Sequence, residues 1–280
     1  MEYKGGLWMK KFFKVYWPFS LNVIKSSFAY KGRFYLYMLG GVFTAFVNYF
    51  LWMAIYSSSS SNMLGGFTRN EIIVYVFMSY ISTNMSTIGV AWDVANDVME
   101  GTIAMNLIKP IEYRWKLIAQ AFGILIYRLV FPSIFIWVGL EIYKNSVLGV
   151  PFTPISNIIL FIISIFMSFF LFVLFDFCFG MISFFTTYFW GANIIKGSIL
   201  NFLTGALIPL SFFPAVLQKV FDYLPFASMN YIPVMIYIGK YSREEIIFAL
   251  LKQATWIAIL YLLGSIIWHK VTKRLIVLGG

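Results

Sequence analysis

Residues Ile158–Thr187 read I-I-L-F-I-I-S-I-F-M-S-F-F-L-F-V-L-F-D-F-C-F-G-M-I-S-F-F-T-T, with Asp176 as the one charge. A membrane-spanning helix needs about 20 mostly apolar residues. This run is longer, which implies a tilted helix or one that extends past the interface. Working outward, five more runs qualify: Phe34–Tyr56, Ile72–Ala91, Leu117–Leu140, about Ala192–Phe212 and about Ile246–Trp268. Composition agrees. The chain is 61% hydrophobic and 11% charged, whereas a soluble domain carries about 25% charged residues. No soluble fold of 280 residues hides that much apolar surface, so the solvent is lipid. The expected fold class is an all-α membrane protein with six transmembrane helices.

The net charge of +10 raises nucleic acid as a partner. The basic residues argue against it, because they fall in clusters between apolar runs rather than in one patch. One side of the expected topology collects Lys4, Lys10, Lys11, Lys14, Lys25, Lys31, Arg33, Lys109, Arg114, Lys116, Lys196, Lys270, Lys273 and Arg274. The other holds Arg69, Lys144, Lys219, Lys240 and Arg243. The positive-inside rule therefore places both termini in the cytoplasm, as an even number of spans requires. Residues 1–33 lack the layout of a cleavable signal peptide. Trp8, Phe12, Phe13, Tyr16 and Phe19 recur at roughly helical spacing among lysines, which reads as a basic amphipathic helix on an anionic inner leaflet. Pro18 would kink such a helix and weighs toward a poorly ordered basic tail instead. Residues 34–280 form the transmembrane domain.

Two outer connections differ in kind. Ser57–Gly66 is a Ser/Gly-rich flexible turn. Residues 209–240 are apolar but interrupted by Pro209, Pro214, Pro225 and Pro233, too many for one spanning helix. They read as short re-entrant helices on the outer side, tolerated only against protein or water.

Between the second and third runs lies a polar island, Trp92–Pro110, W-D-V-A-N-D-V-M-E-G-T-I-A-M-N-L-I-K-P. Asp93, Asp97 and Glu100 follow at i, i+4 and i+7, so a helix sets the three carboxylates on one face. Gly101 can end that helix, with Thr102 next. Two readings stand: a solvated loop helix, or a cytoplasmic helix that docks on a soluble partner. The rest of the chain offers no catalytic constellation. There is no G-x-x-x-x-G-K-[ST] loop for nucleotide and no G-x-S-x-G elbow. His269 has no ligating neighbours in sequence, so no metal site is expected, and Cys178 reads as a structural thiol.

The island, together with T-G-A-L-I-P-L-S-F-F-P (Thr204–Pro214), L-P-F-A-S-M-N-Y-I-P-V-M-I-Y-I-G-K (Leu224–Lys240) and R-L-I-V-L-G-G (Arg274–Gly280), resembles the ABC-2 type transporter permeases. The likeness is to the branch of about 260–280 residues ending in Gly-Gly and runs over nearly the whole chain. Leu278 departs from it, standing where a polar residue often precedes the glycine pair. The resemblance implies a membrane subunit without a nucleotide site of its own. Two copies of a cytosolic ATPase would hold the ATP and Mg²⁺. A second permease, identical or a sister subunit, would complete the exporter in a bacterial cytoplasmic membrane. It also implies that the loop of about residues 92–116 is a coupling helix seated on the ATPase, with Asp93, Asp97, Glu100, Gly101 and Thr102 as its coupling residues, and that the N-terminal helix touches the ATPase too. The cargo would be amphipathic or apolar: a drug, an antimicrobial peptide or a lipid. The alternative is a channel or secondary carrier that needs no motor.

Two charges lie within the apolar runs. Arg128 falls about halfway along the third, where it costs roughly 2.5–3.5 kcal/mol unless it faces protein or water. Asp176 is the expected partner, provided the fourth helix starts near Leu160. Otherwise Arg128 lines a path for an anionic group. Asn48, Asn84, Asn193 and Asn201 read as hydrogen-bonding glue between helices.

Overall fold

The computed structural model describes residues 3–29, 31–186 and 188–278, with only the backbone described for 3–11, 31, 33–35, 37, 38 and 274–278. Side chains expected on the N-terminal face before Phe12, those of Lys31, Arg33 and Arg274, Thr187, and the final Gly279–Gly280 pair lie outside the described residues. The described residues are almost entirely helical. The helices are α1 (Tyr3–Ala29), α2 (Lys31–Ser58), α3 (Arg69–Ser86), α4 (Val90–Met99), α5 (Thr102–Leu107), α6 (Tyr113–Arg128), α7 (Ile134–Ser146), α8 (Ile155–Gly180), α9 (Trp190–Leu203), α10 (Ala215–Tyr223), α11 (Tyr231–Ile238) and α12 (Arg243–Leu278). One two-stranded hairpin, β1 (Met63–Leu64) with β2 (Phe67–Thr68), joins α2 to α3.

Five stretches are long and apolar enough to cross a membrane: Leu39–Ser58, Arg69–Met99, Tyr113–Ser146, Ile155–Phe184 and Arg243–Lys273. They match five of the six expected runs. The remaining one, Ala192–Phe212, is shorter than the sequence suggests. Helix α9 has 14 residues, about 21 Å at 1.5 Å per residue, against a hydrocarbon core of about 30 Å. It stops at Thr204–Gly205, where Gly205 takes φ +76°. A side chain there is strained by the backbone and crowded as well, since its Cβ would stand 3.0 Å from the Tyr75 hydroxyl. Pro209 and Pro214 then prevent the helix from resuming. The proline-rich segment becomes α10, α11 and two short 3₁₀ turns, Leu210–Phe212 and Ala227–Met229, in keeping with the short helices expected there.

Two other departures have local causes. The third run divides at Leu129–Ser133, where Phe131 is non-helical and Pro132 follows it; proline cannot donate to the preceding turn. The Ser57–Gly66 connection is partly ordered. Gly65 and Gly66 at φ +56° and +82° form the two-residue loop that closes a tight hairpin. Thr68 then starts α3 with a capping box: Thr68 Oγ1 accepts from the Glu71 N–H, and the Thr68 N–H donates to Glu71 Oε2 at 2.8 Å.

Helix α8 is the central post, packed by α3, α4, α11 and α12. Its Phe161, Phe169 and Phe177 are fully buried. Its buried polar groups are paired. Ser164 Oγ donates to Gln253 Oε1 at 3.0 Å, and Gln253 Nε2 donates to Ser168 Oγ and to the Ser228 carbonyl. Gln253 thus joins α8, α12 and the Ala227–Met229 turn, the bonding between helices expected of the asparagines. Asn84 does supply some, donating to Ser133 Oγ at 3.3 Å. At the hairpin end, Glu141 accepts from Lys144 Nζ (2.9 Å), the Thr153 N–H (3.0 Å) and the Tyr237 hydroxyl. That cluster fixes α7, the start of α8 and α11 to one another.

Helix α1 runs alongside α6 in the same direction. Phe12 meets Trp115, Ser20 Oγ donates to the Ala119 carbonyl at 2.6 Å, and Phe28 meets Tyr127. Gly123 permits this approach, since a Cβ there would come within 2.5 Å of the Ser20 carbonyl. Pro18 sits inside α1 and the helix continues on either side of it.

Candidate functional site

The polar island folds into two short helices, α4 and α5, set off by two glycines in the left-handed region. Gly89 (φ +87°) breaks the chain from α3 and Gly101 (φ +73°) separates α4 from α5. The expected helix end at Gly101 is where α4 terminates. One face of α4, made of Val90, Ala91, Val94 and Ala95, is buried. It lies against the end of α8, where Gly180 gives it room: a Cβ on Gly180 would come within 2.9 Å of the Ala91 carbonyl and 2.8 Å of Val94. The close approach seats α4 directly on α8.

Asp97 holds the rest of the island in shape. Its carboxylate accepts from Thr102 Oγ1 (2.8 Å), Asn106 Nδ2 (3.0 Å) and the Tyr113 hydroxyl (2.7 Å). Lys116 Nζ stands 3.7 Å away and also donates to Asn106 Oδ1. One carboxylate therefore ties α4 to α5 and both to the start of α6. Of the residues assigned to the coupling set, Thr102 lies in this cluster. Glu100 and Asp93 do not: both are exposed, and Glu100 caps the end of α4 through its backbone. Tyr113 and Asn106 carry no signal of this role in the sequence. Lys116 is legible there only as a charge for counting, and nothing in the spacing points to a shared hub.

The outward side of the island is apolar. Met99, Met105 and Ile108 are exposed, Ile108 at 74%, with Glu100 and Lys109 exposed beside them. Behind them the loop is anchored to two more helices. The Glu112 N–H donates to the Tyr16 hydroxyl of α1 at 3.0 Å. Arg114 donates to the Tyr261 carbonyl and to Ser265 Oγ of α12, with its guanidinium 3.9 Å from the Tyr261 ring. Tyr113 stacks on Trp268.

The expected Arg128–Asp176 pair is corrected by the fold. Helix α8 starts at Ile155, not near Leu160, so Asp176 lies about 31 Å down the helix, beside α4. Its Oδ1 pairs with Lys196 Nζ of α9 at 2.6 Å and its Oδ2 accepts from the Ala91 N–H at 3.4 Å. Both partners in the ion pair are buried, at 9% and 4% side-chain exposure. Asp176 thus sits at the N-terminal end of α4, where free N–H groups and the helix dipole favour a carboxylate. Arg128 is instead satisfied by backbone. Its Nη1 donates to the carbonyls of Asn84 (2.9 Å) and Thr87 (2.6 Å), the last turn of α3, where a cation complements the exposed carbonyls. Among the described residues no group of three His, Cys, Asp or Glu side chains is placed to hold a metal ion.

Over residues 42–279 the chain matches the family model described as ABC-2 family transporter protein. No curated protein matches it significantly.

Proposed function

The chain belongs to the ABC-2 family of transporter proteins, and from that premise we propose that it is the permease subunit of an ATP-driven exporter whose α4–α5 unit is the seat of a cytosolic ATPase. The observation that carries this reading is the build of that unit. An exposed apolar rim of Met99, Met105 and Ile108 is backed by a rigid base on α8 and α6. A surface that only met water would have no need of either feature. In this reading the chain binds no nucleotide; ATP and Mg²⁺ belong to the ATPase, two copies of which serve a pair of permeases, identical or sister chains. Both termini face the cytoplasm of a bacterial cell. Helix α9, entered from the α4 side, supplies the sixth crossing, and residues 209–240 complete the outer side as re-entrant helices.

A push on α4 then has two routes through the molecule. It passes directly into α8 across the Gly180 contact. It also passes through Asp176 to Lys196 on α9, which leads to the outer helices α10 and α11. The helices so tilted would release an amphipathic or apolar cargo outward or into the outer leaflet. Co-purification with a cytosolic ABC ATPase tests the seat. Ile108→Asp places a charge in the apolar rim without touching the Asp97 cluster. The expected result is loss of the ATPase from an otherwise well-folded permease. Undiminished co-purification, or cargo transport by the permease alone without ATP, would overturn the proposal in favour of a motor-independent carrier.

A further inference from the structure

Helices α2 and α7 flank α3 without closing over it, and an apolar cleft of about 350 Å³ lies between them. That volume is within the range of small-molecule sites, about 300–1,000 Å³. Its walls are Val42, Ala45 and Tyr49 of α2 and Gly139 and Tyr143 of α7, with Phe77 of α3 as its floor. Val42 to Tyr49 covers about 10 Å of helix, and the long axis of the cleft follows the helices. One end is polar: Tyr49 and Tyr143 line it, and Arg69 reaches the next turn of α2, where its Nε meets the Met53 sulfur.

Arg69 is the first residue of α3, next to the hairpin. Its Nε is spent on the Met53 sulfur at 3.4 Å. Among the described residues no carboxylate pairs with it, whereas the acids at this rim are already taken: Glu71 by Lys240 at 2.7 Å and Glu141 by Lys144 at 2.9 Å. An exposed guanidinium therefore stands one helical turn from the polar end of a greasy slot.

We propose that this cleft is a binding site for an anionic phospholipid, with one acyl chain between α2 and α7 and its phosphate on Arg69. Charge and shape each point to that occupant. The walls match a hydrocarbon chain, and the planar guanidinium, with its Nη donors unspent, matches a phosphate. The chain runs from the hairpin end toward the middle of the bilayer, as a lipid of that leaflet does. Only the choice of the outer leaflet rests on the orientation proposed above.

The test uses the full-length permease in nanodiscs with two photoactivatable lipids, a phosphatidylglycerol and a phosphatidylcholine bearing a diazirine midway along one acyl chain. Phosphatidylglycerol should label peptides containing Phe46 and Gly139 about fivefold more than phosphatidylcholine, the ratio expected of one basic residue at a membrane surface. Arg69→Gln should bring the two lipids level. Gly139→Trp should remove the labelling by filling the cleft. The fold tolerates a side chain there, since a Cβ at Gly139 meets nothing within 4 Å. Equal labelling by both lipids in the native protein, labelling no stronger than on the exposed Ile247–Leu251 face of α12, labelling unchanged in Gly139→Trp, or a cleft covered by a second copy of the chain would each overturn the proposal. None of these outcomes bears on whether an ATPase binds the α4–α5 unit.

Discussion

Two carboxylates organise the α4 side: Asp97 makes contacts that its spacing does not show, and Asp176 takes a different partner from the one expected. By spacing Asp97 is one of three outward acids, but it faces inward and receives three hydrogen bonds and one ion pair. Asp97→Ala leaves the Tyr113 hydroxyl and the Asn106 amide without their acceptor, a loss of about 1.5–3 kcal/mol for bonds to a charged group. Thermal unfolding in detergent should show that loss, and Glu100→Ala, on an exposed side chain, should show none. Equal shifts in the two variants would contradict the hub. Asp176 forms a buried pair with Lys196, and removal of one partner from such a pair costs about 3–5 kcal/mol. Asp176→Ala and Lys196→Ala should each destabilise strongly, and the double variant by clearly less than their sum. Strict additivity would mean that the two side chains are not coupled. The pairing was not legible in the sequence because it depends on where α8 starts, and a five-residue difference in that start moves Asp176 by about 7 Å. The polarity of the island was legible, since charge in so apolar a chain needs no structure to be seen.

At the scale of elements, the long apolar runs were readable and the breaks within them less so. Helices α3, α8 and α12 follow from composition alone. Helix α9 does not, because apolar residues continue past Gly205 and Pro209 while the backbone cannot. Pro132 divides the third run for the same reason. In the island, by contrast, the glycine signal was correct: Gly101 ends α4 with φ +73°. Gly101→Ala forces an L side chain into that conformation at about 1–2 kcal/mol. Hydrogen exchange should accelerate across Thr102–Leu107 and remain unchanged in α3. Acceleration spread over both helices would show that the turn is not an independent hinge.

Over the whole molecule, the helical units that begin at Ile155 and Arg243 run 30 and 31 residues, or about 45–47 Å. A bilayer with its headgroups is about 40–45 Å thick, so these units overhang it. In the proposed orientation the overhang is cytoplasmic and lies with α4, α5 and the start of α6, joined by Asp97, Arg114 and the Tyr113–Trp268 stack. Among the described residues it is built as a platform rather than as a lipid-facing wall. The most direct test of that role is a cysteine placed at Met105, in a Cys178→Ser background, reconstituted with the ATPase and treated with a short thiol–amine crosslinker. The account predicts a crosslink to the ATPase whose yield changes when ATP is added. A crosslink that forms equally well from a cysteine at Asn62 on the hairpin side, or none from position 105 while ATP-dependent transport continues, would contradict it.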